Sequence, residues 1–371
     1  MSVEMVQSAH PALRIGGQEP VSLHREMSGD GKKPEFVQVT LLPGRGMNFF
    51  QARAWFPGLG EVDLLASPTL DEAQKQLSGG PGDFMGVHSF RFGGALLLPF
   101  ANRIRGKLMP DGCTIQTKIL NRDVLLPADW HGSHPGAEKC AMHGLILAAG
   151  MHVTDATPDQ VKATLNAGDF DGHWLSDTRV TVEAKLRATS VEFSATALNA
   201  RNELLPVGMG WHPYFAVPSK QREQVRLRLP AYKRALVNNY DDVFPTGQLE
   251  AVAGTPYDFT GEGGAPLGSR YFDDSFVDLR KTAQGHTVVE IVDPAAHYGV
   301  RLTALSPHLR ALQVYSRPEH AFVVVEPQFN WADPFSSVWA PDVDTGMVVL
   351  SPGERVTWAV RCELFVPDGL A

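Results

Sequence analysis

Along this chain apolar and polar residues change places every one or two positions, in short runs, rather than every three or four. The segment "RVTVEAKLRATSVEFSATALNA" (179–200) alternates twice around a break at 188–190, the pattern of a β-hairpin. "QVRLRL" (224–229), "HTVVEIVD" (286–293), "GVRLTAL" (299–305), "AFVVVE" (321–326) and "RVTWAVRCELFV" (355–366) predict further strands, with turn signals such as "PTG", "GEGG" and "SPGE" between them. One stretch predicts a helix, "SPTLDEAQKQLSGG" (67–80): Ser67 or Thr69 is placed to cap it, Pro68 suits its first turn, and Gly79 ends it. No internal repeat, coiled coil or linker divides the chain. The expectation is an all-β, mainly antiparallel protein forming one unit over residues 1–371, the first 34 residues being a partly flexible extension.

Composition narrows the classes. With 43% hydrophobic and 20% charged residues in 371, a large core is readily buried. A formal net charge of −8 argues against nucleic acid or an anionic membrane as partner. The first residues carry no basic start followed by an apolar run, and no stretch approaches the ~18 apolar residues of a membrane span. Cys113, Cys140 and Cys362 are scattered, unlike a disulfide framework. A cytoplasmic protein is expected.

Against this background a few polar residues stand out. In "PVGMGWHPYFAV" (206–217) His212 lies within a buried-looking extended run and precedes Pro213, which biases it toward an extended backbone. In "AFVVVEPQFNWADPF" (321–335) Glu326 likewise ends an apolar strand and precedes a proline. A carboxylate there needs a partner, as in a structural ion pair, or takes a raised pKa that suits it to act as a base. "PFANRIRGK" (99–107) reads either as a solvated turn or as guanidinium and carboxamide groups gathered for a polar ligand. "FDDSF" (272–276) alone reads as turn chemistry. The cluster "HGSHPGAEKCAMHG" brings His131, His134, Cys140 and His143 close in sequence, but its spacings match no zinc motif, so a loop with scattered histidines is expected and no metal. "GGPGDFMG" (79–86) has neither the preceding strand nor the following Lys-Ser/Thr of a phosphate loop. No nucleophile elbow is present, so covalent catalysis has no candidate.

Taken in order, "PFANRIRG", "MHG", "GWHPYF", "FPTGQLEAVAGTPYDF" (244–259), "DDSF", "LQVYS", "VVEPQ" and "LSPGE" resemble the aldose 1-epimerases, the galactose mutarotase family, from about residue 35 to the C-terminus. The resemblance implies a large β-sandwich with an open sugar-binding cleft and interconversion of the α and β anomers of a free sugar. It also implies no metal or organic cofactor. By matching position, His212 is implied as general acid and Glu326 as general base. Asn102, Arg103, His143, Asp273 and Gln313 are implied as sugar-binding residues. Asp273 is preferred to Asp274 because the family's aspartate lies three residues before the Phe, here Phe276. Trp211, Tyr214 or Trp331 are candidates for stacking on the sugar. The expected partner is a small-molecule sugar, with the chain a monomer or homodimer.

The sequence departs from better-known members in three places. The first histidine motif reads "HGLI" instead of His-Gly-Gly, about 40 residues separate Asn102 from His143, and only 13 separate Gln313 from Glu326. These changes leave the acid/base pair intact and bear on which sugar is preferred. Three alternatives stay open. A hexose-6-phosphate 1-epimerase would use Arg91, Arg103 and Arg105 on the phosphate. A non-catalytic sugar-binding protein would not need the His212–Glu326 pair. A glycoside hydrolase would need two carboxylates, for which Asp273 with Glu326 is the available pair.

Overall fold

A computed structural model describes residues 13–29 and 31–367; much of the expected N-terminal extension, residues 1–12, lies outside them. Antiparallel strands dominate. The larger sheet has nine, ordered His152–Thr157, Gln160–Gly168, Thr178–Leu186, Ser190–Asn199, Arg355–Phe365, Tyr298–Ala304, Thr287–Asp293, Arg226–Arg228 and Ala265–Pro266. The second has seven, ordered Pro245–Ala251, Ala231–Val237, Phe272–Leu279, Ala311–Ser316, Phe322–Gln328, Gly210–Ala216 and Gly94–Leu97. A four-stranded sheet formed by Val21–His24, Glu35–Leu42, Asn48–Phe56 and Gly60–Asp63 extends the structure.

The predicted hairpin forms as Thr178–Leu186 paired with Ser190–Asn199, and the C-terminal strand Arg355–Phe365 adds beside it. In all three, buried and accessible positions alternate with period two, as one apolar face requires. That face packs onto the seven-stranded sheet. Phe193 meets both Trp358 and Trp211, at ring-centroid distances of 6.0 and 5.9 Å, and the Trp358 indole donates to the Pro327 carbonyl. The fold is therefore a large antiparallel β-sandwich.

Two elements are shorter than the pattern predicts. The strand expected over 224–229 is confined to Arg226–Arg228, because Arg222–Gln224 turns as a 3-10 helix. The helix runs Leu70–Gln76. Thr69 caps it in a reciprocal box with Glu72, and Leu77 ends it by burying its side chain and donating its N–H to the Ala73 carbonyl. Among the described residues no helix is long and apolar enough to cross a membrane.

Four strands of the seven-stranded sheet differ from the alternating ones. Phe272–Leu279, Ala311–Ser316, Phe322–Gln328 and Gly210–Ala216 are buried at nearly every position. Their inward residues, among them Phe272, Leu312, Val325 and Trp211, join the sandwich core. Their other face is covered by loops and forms the floor of a cavity.

Candidate active site

Strand pairing brings the site together. Gly210 pairs with Gln328 and Tyr214 with Val324, a register that sets His212 across from Glu326. Glu326 in turn pairs with Gln313, and Tyr315, two residues on, pairs with Asp273. Directly opposed residues share a face, so His212, Glu326, Gln313 and Asp273 all project to the side away from the core. Trp211, one residue from His212, is necessarily turned inward, where its indole donates to the Gly94 carbonyl. A Cβ on Gly94 would lie 2.3 Å from that nitrogen, so Gly94 makes room for the tryptophan beneath the site.

Two residues come from turns. Asn102 and His143 both adopt left-handed backbone conformations, with φ of 62° and 59°. They hold each other: the His143 N–H donates to the Asn102 carbonyl at 2.8 Å, and the Asn102 N–H donates to His143 Nδ1 at 3.3 Å. Gly144 follows at φ 89°, where a Cβ would sit 2.3 Å from the Leu98 carbonyl oxygen, so the turn needs glycine after the histidine.

A chain of hydrogen bonds joins these groups. Asn102 Nδ2 donates to Gln313 Oε1 at 3.1 Å, and Gln313 Nε2 donates to Asp273 Oδ1 at 2.6 Å. Arg103 donates to Asn102 Oδ1 at 3.2 Å and to Asp273 Oδ2 at 3.4 Å, while its guanidinium lies 4.7 Å from the Trp130 ring centroid. His212 Nε2 stands 3.4 Å from Glu326 Oε1, and the other Glu326 oxygen accepts from Gln328 at 2.8 Å. All seven residues that the resemblance singled out line one cavity of about 640 Å³. Asp274 does not. Its neighbour's face is the cavity face, and Asp274 is held instead by Arg234 at 2.7 Å and Tyr240 at 2.9 Å.

Burial governs the electrostatics. Glu326 is pushed well above the usual carboxylate range by loss of solvent, with Asp273 adding to the rise. His212 is pushed down to about 3, again chiefly by burial. Asp273 is raised by burial against the opposing pull of Arg103, and His143 is driven well below its ordinary value by burial and by the neighbouring His212. Burial thus disfavours the charged form of both members of the His212–Glu326 pair.

The donor set also bears on metal binding. His143, His212 and Glu326 bring ligand atoms within 4.8 Å of one another. However, His143 Nδ1 already accepts the Asn102 N–H, so the ring hydrogen of the neutral imidazole is on Nε2, the nitrogen a metal would need. The residues suit a hydrogen-bond donor at Nε2 better than a metal ligand. The histidines and cysteine of "HGSHPGAEKCAMHG" do not converge: His134 binds Asp241 at 2.6 Å, and Cys140 is buried apart from it.

A model of the aldose 1-epimerase family matches residues 70–363. The chain belongs to the aldose 1-epimerase family. Solved structures agree at the level of fold. A galactose mutarotase-like protein from Clostridium acetobutylicum is 18% identical, with a TM-score of 0.68, over 94% of this chain and 99% of that one. An aldose epimerase homologue from C. elegans is 17% identical, with a TM-score of 0.66, over 94% and 100%. A galactose mutarotase related enzyme from Lactobacillus acidophilus is 14% identical, with a TM-score of 0.64, over 95% and 99%.

Some expectations for this aldose 1-epimerase family member need correction. Trp211 faces the core, and Trp331 packs on Trp339 and donates to the Arg310 carbonyl; neither lines the cavity, whereas Tyr214 does. Arg105 is drawn away by Asp333 at 2.7 Å, so it does not join Arg91 and Arg103 at the cavity. The cavity is also lined by residues that no sequence feature singles out, including Phe90, Trp130, Tyr240, Tyr271 and Arg317, and by Tyr315 of "LQVYS". Tyr315 follows from Gln313, two residues away on the same strand and hence on the same face. The others arrive mostly from loops, whose placement no local pattern encodes.

Proposed function

We propose that this chain interconverts the α and β anomers of a free hexose by acid/base ring opening, with Glu326 and His212 as the two proton carriers. The observation that carries this reading is their juxtaposition, 3.4 Å apart on the floor of a cavity ringed by hydrogen-bonding groups. Mutarotation removes a proton from the anomeric hydroxyl and delivers one to the ring oxygen. The C1–O5 bond breaks to give the aldehyde, the C1–C2 bond rotates, and closure occurs on the other face. In this scheme Glu326 takes the hydroxyl proton and His212 supplies the ring-oxygen proton, and the roles reverse on closure.

A pair that shares one proton, on Glu326 or on His212, is compatible with that scheme. Sugar hydroxyls that donate to the Glu326 carboxylate favour its ionised form, and the proton then resides on His212. In either distribution the pair holds one transferable proton, and each positioned transfer contributes ~10²–10⁴ in rate. Arg103, Asn102 and His143 Nε2 are proposed as donors to sugar hydroxyls, with Asp273 and Gln313 as acceptors. No metal or organic cofactor enters the scheme.

One observation favours a second reading. Arg91 lines the cavity and its guanidinium has no hydrogen-bond or ion-pair partner among the described residues, which suits an anionic sugar such as a hexose 6-phosphate. Anomeric exchange measured by NMR on freshly dissolved α-glucose, α-galactose and α-glucose 6-phosphate separates the two. Acceleration over buffer, lost in Glu326→Gln and His212→Asn, is expected, and the fastest sugar decides between free and phosphorylated substrates. Binding without acceleration on any sugar would replace the enzyme by a sugar-binding protein.

A further inference from the structure

An imidazole that moves protons must hold one orientation, and usually its second nitrogen is fixed by a hydrogen bond to a carbonyl or carboxylate. His212 draws no such support from another residue. Its Nδ1 is buried with no hydrogen-bond partner outside its own residue, and its Nε2 faces Glu326 at 3.4 Å, a long contact. The ring is held by its neighbours instead. Tyr214 lies at a centroid distance of 5.1 Å. Phe90, His143 and His212 form a mutually packed trio: Phe90 is 4.7 Å from His143 and 5.8 Å from His212, and the two imidazoles are 4.9 Å apart, edge to face.

Phe90 is itself unusually well anchored for a residue in a connecting segment. It closes the segment Pro81–Phe90, two 3-10 turns separated by a kink at 83–86, and packs on Ala95, Leu97, Ala101 and Leu147. Immediately before it, the Ser89 carbonyl accepts from Asn48 at 2.7 Å. The Ser89 hydroxyl accepts from Arg45 Nε and donates to the Leu147 carbonyl, each at 2.9 Å. Arg45 also binds both oxygens of Asp83, at 2.9 and 2.7 Å, and Asp83 accepts the His88 N–H at 3.0 Å. Arg45, Asp83 and Ser89 are all at least 95% buried. Their arrangement is a rigid brace built into a loop, and it ends in one aromatic ring laid against both site histidines.

We propose that Phe90 is a positioning residue, which acts through His212 and His143 by fixing their ring orientations and keeping water from His212 Nδ1. The brace of Arg45, Asp83 and Ser89 exists to hold it there. This inference rests on the proton-transfer reading of His212, but its first readout does not need catalysis.

The experiment titrates the His212 imidazole by ¹⁵N NMR in the wild type, Phe90→Ala and the conservative Phe90→Leu, alongside anomer exchange on the best sugar. The charged or titratable groups around His212 are Glu326 on the neighbouring strand, His143, Arg103 and Tyr214; the strand on its other side, Gly94–Leu97, brings none. These are unchanged in both variants. With Phe90→Ala, His212 is expected to titrate closer to the ordinary histidine value. Turnover is expected to fall about 10- to 100-fold, the range for a misplaced reacting group, with KM nearly constant. Phe90→Leu, which keeps an apolar body, should recover most of both. Ser89→Ala, which loosens the brace without touching the ring, should give the same signature at smaller amplitude. An unchanged His212 titration in Phe90→Ala, or a rise in KM with turnover intact, would overturn the proposal, the latter by making Phe90 a sugar contact. Absence of anomer exchange in the wild type would count against the epimerase reading alone, because the imidazole titration would still judge Phe90.

Discussion

The two sheets of the sandwich use their outer faces in opposite ways. On Thr178–Leu186, Val180, Val182 and Ala184 enter the core, while Thr181, Glu183 and Lys185 meet solvent, where polar groups cost nothing. On Phe322–Gln328 and Ala311–Ser316 the face away from the core holds Glu326 and Gln313, yet they are only 1% and 3% exposed, because loops close over them. Placing a carboxylate and a weakly hydrogen-bonded imidazole there is unfavourable for folding. A sheet face that is covered but not apolar therefore marks where stability has been given up for chemistry. The contrast makes a prediction: substitutions on that face damage activity more than stability, and those on the other sheet do the reverse.

The largest expected effect is on Glu326. Glu326→Gln should lower anomer exchange by ~10²–10⁴, and it should also stabilise the fold at neutral pH. Burial raises the Glu326 pKa in the folded chain above its unfolded value of 4.5. As pH climbs above 4.5 the unfolded chain releases a proton that the folded chain keeps, so stability falls across that window up to the folded value. Glutamine carries no such penalty. Thermal melts at pH 5 and pH 7.5 should show the variant gaining on the wild type as pH rises. A variant that loses ground instead would make Glu326 a structural ion-pair partner, and the contrast would fail. The histidine supplies the acid side of the same test. With His212 pushed down to about 3, the acid limb of kcat/KM should lie well below about 6.5, the ordinary histidine value. A limb at 6.5 would mean that His212 charges as freely as in water.

The mirror experiment belongs to the core between the sheets. Phe193 is buried and touches Phe49, Trp211 and Trp358. Phe193→Ala should cost about 3–5 kcal/mol of stability, seen as a lower melting temperature, with turnover per folded molecule close to wild type. Trp211 is the back of His212, so a large fall in turnover would show that core packing sets the site geometry directly.

The same contrast explains what could be read from the sequence. The hairpin 179–200 and the strand 355–366 were legible because one solvent face and one core face impose alternation. His212 and Glu326 were legible for the opposite reason, as titratable groups where the surrounding pattern asked for apolar ones, each fixed in extended backbone by a following proline. Their partnership was not local: it depends on a strand register linking residues over a hundred positions apart, and only the family resemblance anticipated it. Trp211 was misplaced because a tryptophan beside a site residue on a strand must point the other way. Phe90 and Trp130 left no trace, since a kinked connecting segment and a two-residue strand are too short to show a period.

The smallest effect is expected on the solvent face of the nine-stranded sheet, and it is the control for all the others. Glu192 accepts from Arg361 at 2.9 and 2.7 Å across two neighbouring strands, a well-formed pair by geometry. Both side chains are about 40% exposed. At that exposure water and salt screen the attraction, and such pairs contribute about 0–1 kcal/mol. Glu192→Ala should shift the melting temperature slightly, less at high salt, and leave anomer exchange unchanged. A loss of exchange in this variant would mean that the outer face of the larger sheet is coupled to the cavity through the core. The two sheets would then be one functional body, and the division argued from their exposure would have to be abandoned.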